Sequence, residues 1–328
     1  MKAIWYDAVG PARQVLTYGD RPKPQAGQGQ ALIRVRASGI NPSDVGMRGH
    51  GPMAYPQITP NSDGAGIVEA VGPGVAETWL GKRVWFYNGQ RNGRAYGSAA
   101  EYIELDTDLL TPLPDHVSFA EGATLGIPCM TAHRSLFLAG PVQGKTVLVT
   151  GGAGAVGHYA VQLAKWAGAR VIATVSSPDK AERARAGGAD HVINYRTDPV
   201  AEAVMALTQG EGVHHIVDVD FGGNLEASLA CLRVNGSIAY YASKGASLPK
   251  VPALTLMRLN ATVSGVYLPI SPHEARRRAQ SEIAAWIAEQ PRQLAVAGRF
   301  PLKDCASAHE KVEAGDKVGT VVVEIGED

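Results

Sequence analysis

The chain has 328 residues, room for two ordinary domains, and its 31 basic and 31 acidic side chains cancel. With no basic block, nucleic acid is not favoured as the main partner, and the three scattered cysteines (Cys129, Cys231 and Cys305) argue against a disulfide framework and for a reducing compartment. The opening MKAIWYDAVG has no long apolar core and the longest uncharged stretch is rich in glycine, so neither a signal peptide nor a membrane span is read, and a cytoplasmic protein is the default expectation.

In chain order, residues 2–6 read as a strand, and PKP at 22–24 and GQG at 27–29 as turns. Residues 30–37 alternate Ala31, Ile33 and Val35 against Leu32, Arg34 and Arg36, the period of a half-buried strand. SGINPSD follows at 38–44. Polar side chains directly after a strand are candidate site residues, and Asn41 and Asp44 stand out here; the competing reading is that they cap the next short helix. Residues 64–71, 81–86 and 97–105 continue a pattern of short strands and turns that predicts a compact β-rich barrel. A helical pattern begins at 121 and continues through Thr131, Ala132, Leu136 and Phe137. The first domain crossing is placed there.

The stretch KTVLVTGGAGAVGHYAVQLAK at 145–165 carries the clearest signal. Val147, Leu148 and Val149 form a short buried strand. Gly151, Gly154 and Gly157 follow at three-residue spacing, and from Val156 the apolar residues recur at helical spacing. At such a strand-to-helix turn, the amides of Ala155, Val156 and Gly157 and the positive end of the helix dipole make an anion site. Gly151 permits the tight turn, Gly154 allows the backbone to approach a pyrophosphate, and Gly157 lets the helix pack close. A strand at 170–175, a helix at 179–186 and a strand at 191–194 complete a βαβαβ unit, half of a doubly wound dinucleotide-binding sheet.

Where such sheets bind NAD, an acid about twenty residues on hydrogen-bonds the ribose 2′-hydroxyl. Here the second strand ends in Ser176 and Ser177 with no carboxylate at its tip, and Lys180 follows, so a 2′-phosphate and NADPH are expected. Ser177 can also cap the next helix, and Lys180 can be a solvated helix residue. Further strands at 215–219, 237–241 and 261–267 extend the sheet. Residues 220–224 are expected in the loop at a strand's carboxyl end, followed by a helix at 225–232. A long helix at 273–289, a shorter one at 308–314 and a last strand at 319–325 close the chain.

With the motifs SGINPSD (38–44), PNSDGAG (60–66), GIPCMTAHRSL (126–136), VTGGAGAVG (149–157) and VGTVVVEI (318–325) in place, the chain resembles the zinc-independent, zeta-crystallin-like quinone oxidoreductase branch of the medium-chain dehydrogenase/reductase superfamily. The resemblance implies an α/β protein with a GroES-like β-rich catalytic domain (1–125 and 268–328) and a Rossmann doubly wound parallel-sheet domain (126–267) that binds NADPH. Asn41, Ser62 and Ile127 stand where zinc-dependent relatives place their Cys, His and Cys ligands, so no metal is expected, and three cysteines cannot build a four-cysteine structural zinc lobe. By the same resemblance Asn41 and Asp44 line the substrate cleft, Thr131 meets the nicotinamide, Tyr195 lies at the adenosine end, and Tyr241, Ala242, Ser243, Val266 and Tyr267 border the nicotinamide amide.

One departure is Gly46, where bacterial members commonly carry a tyrosine; Tyr55 or Arg48 are candidates for the space. The implied activity is NADPH-dependent quinone reduction. The alternatives are reduction of an enone-type double bond and a non-catalytic NADPH-binding protein. The apolar strand 261–267, expected at a sheet edge, predicts a homodimer paired along it.

Overall fold

The computed structural model describes residues 1–91 and 93–326. The chain divides into two compact units, Met1–Pro128 with Gln280–Asp328, and Cys129–Ala279. The second boundary falls inside the helix His273–Glu289.

The first unit is built on a seven-stranded mixed sheet, in the order Val296–Pro301, Thr320–Glu324, Gln30–Ile40, Asp63–Val71, Arg83–Phe86, Leu110–Pro112, with Tyr102–Asp106 also paired to Gln30–Ile40. The long strand runs to Ile40, past its predicted end at Ala37. Its last four residues pair with Thr320–Glu324 on one side, while Ala37, Ser38 and Gly39 pair with the start of Asp63–Val71 on the other. Alternating exposure therefore stops at Ala37, and the polar Ser38 is buried against Ser98, its hydroxyl 2.7 Å from the Ser98 hydroxyl. Ile33, Val35, Ile40, Val68, Val84, Phe86, Ile103 and Val323 lie in one apolar core. The predicted strand at 97–105 is shorter, Tyr102–Asp106, with Ala100 making only an isolated bridge to Ala3.

The second unit is a six-stranded, wholly parallel sheet in the order His191–Asn194, Arg170–Val175, Thr146–Val149, Val213–Asp218, Leu232–Tyr240, Thr262–Gly265. Strand order reverses between Thr146–Val149 and Val213–Asp218, and ligands of open α/β sheets bind outside the carboxyl ends at such a point. Thr262–Gly265 is an edge strand. Leu148, Ile172, Ile193, Ile216, Leu229 and Ile238 share the core. The helix predicted at 225–232 begins earlier, spanning Phe221–Cys231 with Asp220 as N-cap, because the Asp220 side chain accepts the Gly223 amide at 3.3 Å. Residues 221–224 are thus the helix's first turn. The helices Val200–Leu207 and Ala253–Leu259 are additional to those predicted.

Candidate active site

The glycine turn of the second unit is constrained by its own packing. Gly151 has φ of 65°, the left-handed region that glycine enters without steric penalty. A Cβ on Gly157 would stand 2.2 Å from the Gly151 carbonyl oxygen, so the helix Ala155–Trp166 approaches the turn only with hydrogen at that position. Gly154 caps this helix and offers no side-chain acceptor to its first-turn amides. The N–H groups of Ala155, Val156 and Gly157 have no preceding helical carbonyls to bond, and together with the dipole they suit a phosphate. Gly152, which motif spacing did not single out, is also held: a Cβ there would lie 2.7 Å from that of Ala173.

At the tip of Arg170–Val175 the structure brings Ser176, Ser177 and Lys180 together. Ser177 accepts the Lys180 amide as N-cap of Pro178–Ala186, and the Lys180 ammonium folds back to donate to the Ser176 hydroxyl at 3.0 Å. The cap reading and the site reading of this pair are therefore compatible. Asp179 is exposed on the next helix. Tyr195, 51% exposed, follows His191–Asn194 with its amide bonded to the Val175 carbonyl at 3.0 Å. These groups fit a phosphorylated adenosine: donors and a cation converge with no carboxylate on the tip.

Beside the turn, Asp218 ends its strand fully buried. It accepts from the Thr150 hydroxyl at 2.9 Å, the Asn224 amide group at 2.7 Å and the Asp220 backbone at 2.9 Å, tying the ends of the two central strands to the following helix. Asp218 was not a sequence candidate; its signal was a single acid closing the strand VHHIVD after Ile216 and Val217. Burial first, then the Asp218 charge, push the Tyr241 hydroxyl well up. Ser243 accepts the Gly222 amide at 3.0 Å and donates to the Ala246 carbonyl at 2.6 Å, and the Ala242 carbonyl accepts the Phe221 amide at 2.9 Å, so this loop is braced on the helix Phe221–Cys231. Val266 is buried and bonds the Tyr240 carbonyl at 2.7 Å, whereas Tyr267 is exposed. Thr131 is buried in the helix Met130–Phe137.

In the first unit, Asn41, Ser62 and Ile127 converge on two buried carboxylates. Asp63 Oδ2 accepts from the Asn41 side chain at 2.7 Å and from the Ile127 amide at 2.8 Å. Asp44 Oδ1 accepts from the Ser62 hydroxyl and the Arg91 guanidinium, each at 2.8 Å, and Oδ2 accepts the Asn41 amide at 2.8 Å. Asp44 thus caps the helix Pro42–His50 and at the same time anchors a buried ion pair with Arg91. Asp63 Oδ1 has no partner among the described residues and packs on Gly126, where a Cβ would stand 2.2 Å away. Burial, and then the charge of Asp44, push the Asp63 carboxyl up to about 8. Asp63 was not a sequence candidate; its signal was an acid opening the apolar strand DGAGIVEAV.

Neither candidate for the space beside Gly46 is placed there by a free side chain. Arg48 is buried and donates to the Gly10 carbonyl and to Glu313, and the Tyr55 hydroxyl donates to the Gly93 carbonyl. A Cβ on Gly46 would meet only the His50 ring, at 3.9 Å. Among the described residues no group of three His, Cys, Asp or Glu side chains is arranged to hold a metal ion.

Two family models match: the alcohol dehydrogenase GroES-like domain over residues 27–115 and the zinc-binding dehydrogenase domain over residues 155–284. The chain is 30% identical to the quinone oxidoreductase of Rattus norvegicus, covering 98% of this chain and 97% of that one. It superposes with a TM-score of 0.85 on a mycobacterial protein solved in complex with NADPH, 33% identical, with 99% of each chain covered. A 2-haloacrylate reductase superposes with a TM-score of 0.84 at 28% identity, again over 99% of each chain. Both domain models thus match within one chain, and the chain belongs to the quinone oxidoreductase family of the medium-chain dehydrogenase/reductase superfamily.

Proposed function

We propose that this protein is an NADPH-dependent reductase of quinones that works without a metal. The observation that carries the reading is the fate of Asn41, Ser62 and Ile127. Their donors are committed to Asp44 and Asp63, and their residue types offer no usual zinc ligand. Without a Lewis acid, oxidation of a simple alcohol lacks support, whereas a quinone stabilises the electrons it receives in its own ring. The first-turn amides of Ala155–Trp166 bind the pyrophosphate, Ser176, Ser177 and Lys180 hold the 2′-phosphate, and Tyr195 lies along the adenosine. Bound NADPH supplies the hydride. Thr131, the loop Tyr241, Ala242 and Ser243, and Val266 and Tyr267 orient the nicotinamide. Asn41 meets the substrate, and Asp44, its oxygens already committed, positions Asn41.

The likeness to a 2-haloacrylate reductase favours a second reading, reduction of a carbon–carbon double bond activated by a carbonyl. NADPH oxidation with matched ortho-quinones, para-quinones and enones separates the readings. Quinone turnover well above enone turnover is expected. The reverse order would replace the first reading with the second. Tight NADPH binding with no turnover on any acceptor would make the protein a cofactor-binding module.

A further inference from the structure

The amino ends of the central parallel strands, at the far end of the sheet from the glycine turn, border a polar cavity of about 480 Å³. Lys145, His214, Arg233 and Ser237 line it, with Leu136 and Val142 as apolar wall. Lys145 precedes the strand Thr146–Val149, His214 lies in Val213–Asp218, and Arg233 lies in Leu232–Tyr240. Among the described residues no carboxylate forms an ion pair with Lys145 or Arg233.

The geometry of His214 is the telling feature. Its Nδ1 accepts the Thr146 amide at 3.1 Å. A neutral imidazole has one acceptor nitrogen, so Nε2 carries the hydrogen. Nε2 nevertheless lies 2.6 Å from Arg233 Nη1, and a guanidinium has donors only. Two donors therefore face each other with no acceptor between them. Ring protonation does not relieve this; burial, then the charges of Arg233 and Lys145, hold the His214 pKa down against a weaker opposing pull from Glu211. The neighbouring His215 takes no part, because Ser237 and the Ser135 carbonyl occupy its two nitrogens at 2.8 and 2.9 Å.

We propose that this cavity binds a small oxyanion, with Arg233, His214 Nε2–H and Lys145 as its donors. An anionic oxygen on the cavity side of this pair, within reach of both Arg233 and His214, gives each donor an acceptor and compensates two cations that lack one. The volume is many times that of one water, so a phosphoryl group carrying a small organic part fits as well as free phosphate or sulfate.

The test uses protein saturated with NADPH, so that phosphate cannot report on the glycine turn or on Ser176 and Lys180. Inorganic phosphate, sulfate and phenyl phosphate are titrated at constant ionic strength, with chloride as control, while the His214 ring nitrogens are followed by NMR. Saturable shifts of the His214 resonances are expected, with affinity reduced about ten-fold or more in Arg233→Gln and Lys145→Gln, and with NADPH affinity and reductase rate unchanged in both. Tighter binding of phenyl phosphate than of phosphate identifies an organic ligand; the opposite order identifies the free anion. No saturable His214 response to any of the three, or undiminished affinity in both variants, would overturn the proposal. If Arg233→Gln does not fold, Lys145→Gln, on a partly exposed residue before the strand, carries the comparison alone. The His214 signal is local, so a failure of the cofactor reading cannot imitate a failure of this one.

Discussion

Asp63 holds its proton because burial and the nearby charge of Asp44 penalise the carboxylate, pushing its pKa up to about 8. An unfolded chain releases that proton near the ordinary carboxylate value, about 3.9. The folded chain therefore binds more protons between those limits. The resulting stabilisation is complete below the carboxylate range and is lost as pH rises through about 8. His215 and His309 act in the opposite sense. Burial lowers each to about 4, so their contribution is present above the ordinary histidine range and lost as pH falls through about 4. Asp63→Asn keeps an acceptor for Asn41 and Ile127 and removes the ionisation. Urea midpoints measured from neutral pH to about 8, above the range in which the two histidines act, should decline in the wild type and stay level in Asp63→Asn. A variant that declines as steeply as the wild type would show that another group holds the proton. At the strand tip, Lys180→Ala removes a charge-assisted contact of roughly 1.5–3 kcal/mol. NADPH affinity should fall about ten-fold or more while NADH affinity stays put. An equal loss for both cofactors would show that Lys180 does not read the phosphate.

The helix Pro42–His50 carries glycines at positions 46 and 49, and neither is required by contact: a Cβ at Gly46 reaches only His50, and one at Gly49 meets nothing within 4 Å. Glycine inside a helix costs about 1 kcal/mol relative to alanine. Gly46→Ala should raise the thermal midpoint, and an unchanged or lower midpoint would mean that unseen packing uses the glycine. Gly46→Tyr should fold, and should reduce kcat/KM for a polycyclic quinone more than for benzoquinone if this helix borders the substrate. Elements of this kind differ in how legible they are from sequence. The strand, glycine turn and helix at 146–166 are local, and their periodicity and glycine spacing sufficed. The early start of Phe221–Cys231 was hidden by Gly222 and Gly223, which read as a turn until Asp220 is seen to cap them. Ser176, Ser177 and Lys180 are close in sequence and were legible as a group. The network of Asn41, Asp44, Ser62, Asp63, Arg91 and Ile127 was not, because its hydrogen bonds join residues far apart in the chain and no local period records them.

Oligomeric state belongs to the whole molecule. Thr262–Gly265 ends the parallel sheet, and an unpaired strand edge is a template for another strand. The adjoining helix Ala253–Leu259 buries none of its residues and leaves Leu254 and Met257 exposed. A second copy pairing edge to edge about a two-fold axis would cover both features. Light scattering at micromolar concentration should give the mass of a dimer, and charged substitutions at Leu254 and Met257 should shift it toward the monomer. A monomer mass for the wild type would remove the homodimer.

Metal-free quinone reduction is tested most directly by one rate. Protein dialysed against EDTA is mixed with NADPH and an ortho-quinone in chelated buffer, and NADPH absorbance is followed. Turnover equal to that of undialysed protein is expected, with zinc far below one per chain and no gain when zinc is added back. Loss of turnover on chelation, restored by stoichiometric zinc, would contradict it.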